Sequence, residues 1–178
     1  STKEKPGPGC NFPLRAGKGW LYEGGVREPT IIRAPGVTQE GSVCNDPVVS
    51  MDFFPTMLEL AGLPLKPKLH ADGRSLLPEL TGKKGKPRPL YWHYPHYSNQ
   101  GGIPGGAIRM GDYKLFENYE NGTVSLFHLK EDIGESKDLS LREPQRVKVM
   151  RKKLHTWYKE VDAKFLQPKG ESTNPWRP

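Results

Sequence analysis

The chain has 178 residues and a mass of 20.0 kDa, and its 20 glycines and 18 prolines make up about a fifth of it, so turns must occupy much of its length. A hydrophobic content of 34% and a mean hydropathy of −0.71 leave no apolar run near the roughly 18 residues a membrane-crossing helix needs, and there is no heptad train or internal period, which excludes a coiled coil and a repeat array. The excess of 27 Lys+Arg over 20 Asp+Glu, a net charge of +7, draws polyanions in general. Cys10 and Cys44 allow at most one bridge and leave the redox compartment open. The chain begins Ser1-Thr2-Lys3 with neither an initiator methionine nor a charged-then-apolar leader, and so reads as a processed chain or a piece of a longer one.

Residues 1–19 are polar and aperiodic and read as a loop or frayed arm. Pro29-Thr30-Ile31-Ile32-Arg33 is a β-branched run stopped by Pro35-Gly36, which predicts a short buried strand, and Val48-Val49 a second extended stretch. A helix follows: Ser50 or Asp52 caps it, Pro55 sits in its first turn, Gly62 and Pro64 end it, and Phe54, Met57, Leu58 and Ala61 form its apolar face. Five prolines scatter residues 63–89 over a surface, with a single turn at Leu76-Leu77. From Leu90 the period becomes two. Residues 90–94, 107–110, 113–117 and 124–129 predict four strands, with tight turns at Gly111-Asp112 and Asn121-Gly122. A long helix over about 143–165 presents Val147, Met150, Leu154, Trp157, Val161 and Phe165 as one stripe to the sheet, and the tail after Pro168 reads as disordered.

The densest chemical signal is Gly17-Lys18-Gly19-Trp20-Leu21-Tyr22-Glu23-Gly24-Gly25-Val26-Arg27-Glu28-Pro29. Lys18 between two glycines offers a cation on an unobstructed backbone, which suits a tetrahedral anion. It is not a P-loop, and by spacing alone a solvated glycine-rich turn is the better reading. The segment resembles the G-K-G-x-x-[YW]-E-G-G-x-R-x-P block of the sulfatase family, arylsulfatase-type enzymes of the alkaline phosphatase superfamily. The resemblance continues in order through residues 33–37, 50–62, 72–78 and 111–115. It implies a sulfuric ester hydrolase in which a Cys or Ser converted to formylglycine attacks sulfur. A calcium ion and flanking cations stabilise the sulfuryl oxygens. Carried residue by residue, it makes Lys18 the catalytic, sulfate-contacting lysine and Glu23 and Arg27 supporting residues of the glycine-rich loop.

The nucleophile motif C/S-x-P-x-R is absent: Cys10-Asn11-Phe12-Pro13-Leu14-Arg15 has two residues between Cys and Pro, so Cys10 is not expected to be converted. The resemblance places the calcium ligands upstream too, with none within this chain. A piece cut off there would lack activity by itself. His93-Tyr94-Pro95-His96-Tyr97 reads as locally hydrogen-bonded histidines or as substrate contacts, and as half a metal site at most. In sulfatases the corresponding region lines the substrate pocket, which favours His93 and His96 as substrate-binding. Gly101-Gly102-Ile103-Pro104-Gly105-Gly106 reads as a long connection or a substrate-side flap, and Asn121-Gly122-Thr123 as a turn rather than a glycosylation site.

The expected fold is α/β, or α+β within this piece: an antiparallel sheet of about four strands packed by a long C-terminal helix, with residues 1–89 a remnant of the larger catalytic domain and residues 90–178 the sheet subdomain. The expected partners are a sulfate-ester substrate, aryl sulfate or sulfated carbohydrate, and the missing N-terminal part of the same enzyme, with no nucleic acid and no membrane. The resemblance implies a periplasmic or secreted protein, lysosomal in a eukaryote. The rival expectation is a non-catalytic basic module binding a polyanion such as sulfated glycan or nucleic acid. The basic run on the last helix, Arg146 to Lys153, has aromatics only on its apolar stripe and reads as a solvated face.

Overall fold

The computed structural model describes residues 9–167. The element order is a four-residue helix α1 (Glu23–Val26), a 3₁₀ turn (Ser50–Asp52), α2 (Phe53–Leu60), α3 (Leu77–Leu80), strands β1 (Leu90–Tyr94), β2 (Gly105–Met110), β3 (Tyr113–Asn118) and β4 (Val124–His128), and α4 (Pro144–Glu160). The chain divides into two compact units. One holds residues 9–29 and 88–167; the other is Thr30–Pro87. The glycine-rich segment therefore groups with the sheet that lies downstream, rather than with everything upstream of residue 90.

The first unit is built on a sheet of four antiparallel strands in the order β1-β2-β3-β4. The turns fall where Gly111 and Gly122 adopt φ of 59° and 72°, a region that β-carbons disfavour. Register then sorts the side chains by face. Tyr91, Ile108, Leu115 and Leu126 stand opposite one another across the four strands, and all but Tyr91 are fully buried. α4 packs on that face with Met150, Leu154 and Tyr158, one turn apart, and Trp157 stacks on Tyr91 with ring centroids 4.8 Å apart. Tyr158 belongs to the stripe although the sequence pattern did not single it out. The helix stops at Glu160 rather than near 165. Asp162 takes φ 50°, Val161 is exposed, and the chain doubles back so that Phe165 reaches the same core from a loop.

The opposite face of the sheet is also covered. Ala107 and Phe116, on alternate positions from the first row, pack with Leu21 and, at their margin, Val26, Trp92, Tyr94 and Ile103. The sheet is thus a middle layer, with α4 on one side and the 9–29 segment on the other. That explains why β3, Tyr113-Lys114-Leu115-Phe116-Glu117-Asn118, is buried on alternate residues of both kinds.

In the second unit the buried side chain of Asp52 is the hub. One carboxylate oxygen accepts the Val49 N–H at 3.0 Å and the other the Arg74 N–H at 3.0 Å, so a single side chain ties residue 49 to residue 74. Thr56 extends the tie: its hydroxyl donates to the Asp52 carbonyl at 2.6 Å and accepts the Leu76 N–H at 2.9 Å. Arg74 pairs in turn with Glu79 of α3. These polar ties bury Pro55 and Thr56, so the face of α2 turned inward is not the one the periodicity predicts. Phe54, Met57 and Leu60 are exposed, Met57 at 65%, as are Met51, Leu63 and Leu69. The run Thr30–Arg33 forms no strand. An extended segment needs a neighbour to hydrogen-bond, none of the described strands pairs with it, and Ile31 is left 94% exposed.

Candidate functional site

Lys18 occupies the tip of a tight turn. The Trp20 N–H donates to the Gly17 carbonyl at 3.1 Å and Gly19 takes φ 93°, which places Lys18 and Gly19 at the two central positions. Its side chain is exposed and has no hydrogen-bond or ion-pair partner among the described residues. The turn is packed from behind: a β-carbon at Gly102 would fall 1.9 Å from the Gly19 carbonyl oxygen, and one at Gly101 would lie 2.5 Å from the Trp20 indole nitrogen. The Gly101-Gly102 connection is therefore a support pressed against the Lys18 turn.

Glycines 24 and 25 have a different purpose from the one their position beside Lys18 suggests. A β-carbon at Gly24 would sit 2.4 Å from the Arg15 and Ala16 carbonyl oxygens, and one at Gly25 would sit 2.1 Å from that of Trp20. The backbone folds onto itself there, and the Gly24 N–H donates to the Arg15 carbonyl at 2.9 Å. These two glycines compact the loop and present no open backbone to a ligand.

Beneath the turn lies a buried charge cluster. Glu23 is 2% exposed, and its Oε1 accepts from Lys114 Nζ at 3.0 Å. The same ammonium, fully buried, is 3.1 Å from Glu135 Oε1, and the Glu23 N–H donates to Glu135 Oε2 at 2.6 Å. Arg27 and Arg109 each stand 3.8 Å from Glu23 Oε2, and the Trp92 ring lies 5.9 Å from Lys114 Nζ. Arg109 and Lys114 face each other across β2 and β3, an arrangement of like charges that is tolerable only because two carboxylates sit against them. Burial raises the Glu135 carboxyl above the usual carboxylate range, partly offset by the charge of Lys114. Arg15 closes the cluster by donating to the Glu135 carbonyl at 2.8 Å while lying 3.9 Å over the Tyr22 ring. The arrangement anchors α1, and with it the Lys18 turn, to β3 and to the loop after β4.

His93 and His96 are placed apart in character. His93 points to the α4 face, with Nδ1 2.7 Å from the Tyr119 hydroxyl and Nε2 2.7 Å from the Lys164 carbonyl. A carbonyl can only accept, so Nε2 carries the proton and Nδ1 accepts from Tyr119. Burial holds the ring below the ordinary histidine range, consistent with that neutral form. His93 is ringed by Tyr119, Tyr158 and Phe165. His96 is exposed and makes an edge contact with Tyr94. The two do not converge on one cleft, and neither stands in the Glu23–Lys114–Glu135 cluster. A second buried carboxylate, Glu117, holds α4 down by accepting from Arg151 Nε at 2.7 Å and contacting His155 Nε2 at 2.9 Å.

Sequence reasoning missed Lys114, Glu135 and Arg109. The signal was present in the alternation of β3, which puts Lys114 on the same face as Phe116, but it has meaning only once that face is known to be covered. Among the described residues, no three His, Cys, Asp or Glu side chains are grouped so as to hold a metal ion, so no role here is derived through one. Cys10 and Cys44 are free and exposed, and among the described residues no helix is long and apolar enough to cross a membrane.

Residues 16–164 match the family described as N-sulphoglucosamine sulphohydrolase, C-terminal. The chain is 38% identical over 167 residues to a sulfatase of Formosa agariphila, covering 85% of this chain and 30% of that protein. It is 43% identical over 107 residues to human arylsulfatase A, covering 60% of this chain and 20% of that protein. A crystal structure of Ps i-CgsB in complex with k-i-k-neocarrahexaose superposes with a TM-score of 0.70 at 31% identity, covering 83% of this chain and 32% of that one. The chain thus spans less than a third of the length of the relatives it matches. A four-stranded antiparallel sheet under a C-terminal helix accords with these matches, and the chain belongs to the sulfatase C-terminal family.

Proposed function

We propose that this chain is the C-terminal part of an enzyme that hydrolyses sulfate esters, and that Lys18 binds the sulfate. The nucleophile, formylglycine in this reading, and the calcium ligands lie upstream of Ser1 in the same polypeptide. The single observation that carries the assignment is the state of Lys18: an exposed ammonium at the tip of a turn whose base is locked by the buried Glu23–Lys114–Glu135 cluster. The scaffold fixes the backbone that carries this cation, so the ammonium is kept in one region before charge develops on the sulfuryl oxygens, where a donor lowers the barrier. Glu23 positions the turn through its buried pair, and Arg27 stands in the same field. The relative whose structure holds a neocarrahexaose favours a carbohydrate as carrier of the ester.

His96, exposed just past the end of β1, remains a substrate contact in this reading. His93, with both ring nitrogens engaged by Tyr119 and Lys164, would act only by steadying the strand that carries it. The test is Lys18→Ala in the full-length parent protein. We expect kcat/KM on a small aryl sulfate to fall by about 10²- to 10³-fold, the usual cost of one lost charge-stabilising donor, with partial recovery in Lys18→Arg. Turnover equal to wild type in Lys18→Ala would remove Lys18 from the site.

A further inference from the structure

α4 is an unusually one-signed helix. Over Pro144–Glu160 it carries six Lys and Arg side chains against a single acid, Glu160. A surface helix of ordinary design sets Glu four residues from Lys. Here Lys148 and Lys152 stand at that spacing instead, and like charges so placed repel. Lys148, Lys152 and Lys159 are exposed and have no ion-pair partner among the described residues. With Arg151, His155 and Val147 they line a groove of ≈ 650 Å³ along the helix. Arg151 and His155 are oriented by the buried Glu117, so the groove has a fixed floor and a free cationic rim.

We propose that this groove is a second, non-catalytic binding site for a sulfated glycan chain. The inference rests on the sulfatase reading above for the nature of the polymer. The chemistry of the groove favours a glycan over a nucleic acid. Its cations would meet sulfate groups, while the aromatic side chains of α4, Trp157 and Tyr158, are turned into the core and give bases nothing to stack on. Position supports a tethering role. α4 covers one face of the sheet and the segment bearing Lys18 packs on the other, so the groove is no extension of the Lys18 turn. A polymer held there raises the local concentration of its own esters without altering the reacting group.

The test compares this chain with its Lys148→Glu/Lys152→Glu/Lys159→Glu variant for binding to heparin, to fully desulfated heparin and to a 20-nucleotide single-stranded DNA across a salt series. A Lys→Gln version of the triple variant removes the rim charge without introducing acids. We expect wild type to bind heparin at least tenfold more tightly than either competitor. We expect both triple variants to lose that binding, with the log–log salt slope reduced by about one for each lysine removed. Unchanged heparin binding in the triple variants would overturn the proposal, and so would equal binding of the DNA or of desulfated heparin. In the full-length parent, the triple variants should raise KM for a sulfated polysaccharide and leave kcat and the hydrolysis of a small aryl sulfate unchanged; an unchanged KM would overturn the tethering role. A parent with no sulfate-ester hydrolysis at all would remove the catalytic reading, and the heparin series would still decide the groove by itself.

Discussion

At the scale of single residues, Lys114 shows how much a buried charge can govern. Its ammonium lies between Glu23 and Glu135 with no exposure to water, and both carboxylates depend on it. Replacing it by the apolar, similarly shaped methionine leaves two buried acids facing each other. Breaking a buried pair in this way costs about 3–5 kcal/mol, so Lys114→Met should lower the denaturant midpoint sharply at neutral pH. The loss should shrink as the pH falls and Glu135, already raised by burial, takes up a proton. A variant as stable as wild type at pH 7 would show that the cluster carries no structural weight. Lys114 also marks the limit of reading from sequence. Alternation places it beside Phe116, yet a lysine in a strand normally faces water, and only the cover supplied by residues 9–29 reverses that expectation. The roles of Gly24 and Gly25 escaped notice for a related reason: a glycine that admits a ligand and one that admits its own backbone look alike until the fold is known.

At the scale of elements, the helix–sheet contact is tightest where β2 has no side chain. A β-carbon at Gly106 would stand 1.9 Å from the Tyr158 hydroxyl and 2.4 Å from that of Tyr119. Gly106→Ala should therefore lift α4 from the sheet, at a cost of about 1–3 kcal/mol, measured as a drop in thermal midpoint. Tyr158→Phe in the same background should recover part of it by clearing the oxygen; no loss in Gly106→Ala would mean that α4 seats further from β2 than it does here. The four strands were legible because alternation and the turn glycines both point to them. The end of α4 was not, because the apolar spacing runs on through a reversal at Asp162 and Phe165 rejoins the core from beyond it. The strand expected at 30–33 and the inward face expected of α2 share one cause. Both patterns describe a surface that wants a partner, and the pattern does not say whether this chain holds it.

At the scale of the whole molecule, the Thr30–Pro87 unit is held by polar ties around Asp52 while its large apolar side chains look outward. Scattered exposed apolar residues are ordinary, but Phe54, Met57 and Leu60 line one helix. In the proposed parent enzyme the upstream part of the polypeptide is expected to cover that face. This chain by itself should bind an apolar dye such as anilinonaphthalene sulfonate, and Phe54→Ser/Met57→Glu should abolish the fluorescence while costing no more than about 1 kcal/mol of stability. Met57 is mostly exposed, and Phe54 is half covered, with an edge contact to His70. The full-length parent should give little dye signal. Equal fluorescence from chain and parent would argue that nothing upstream covers α2.

The order of the layers along the polypeptide has one more effect. The segment that covers the sheet from below is made first, and the strands it must cover come only after the 58 residues of the Thr30–Pro87 unit. At a ribosomal pace of roughly 5–20 residues per second, Glu23 waits several seconds after emerging before Lys114 exists to receive it. Through that interval Leu21 and Tyr22 are exposed on a nascent chain, and their concealment is the work of residues not yet translated.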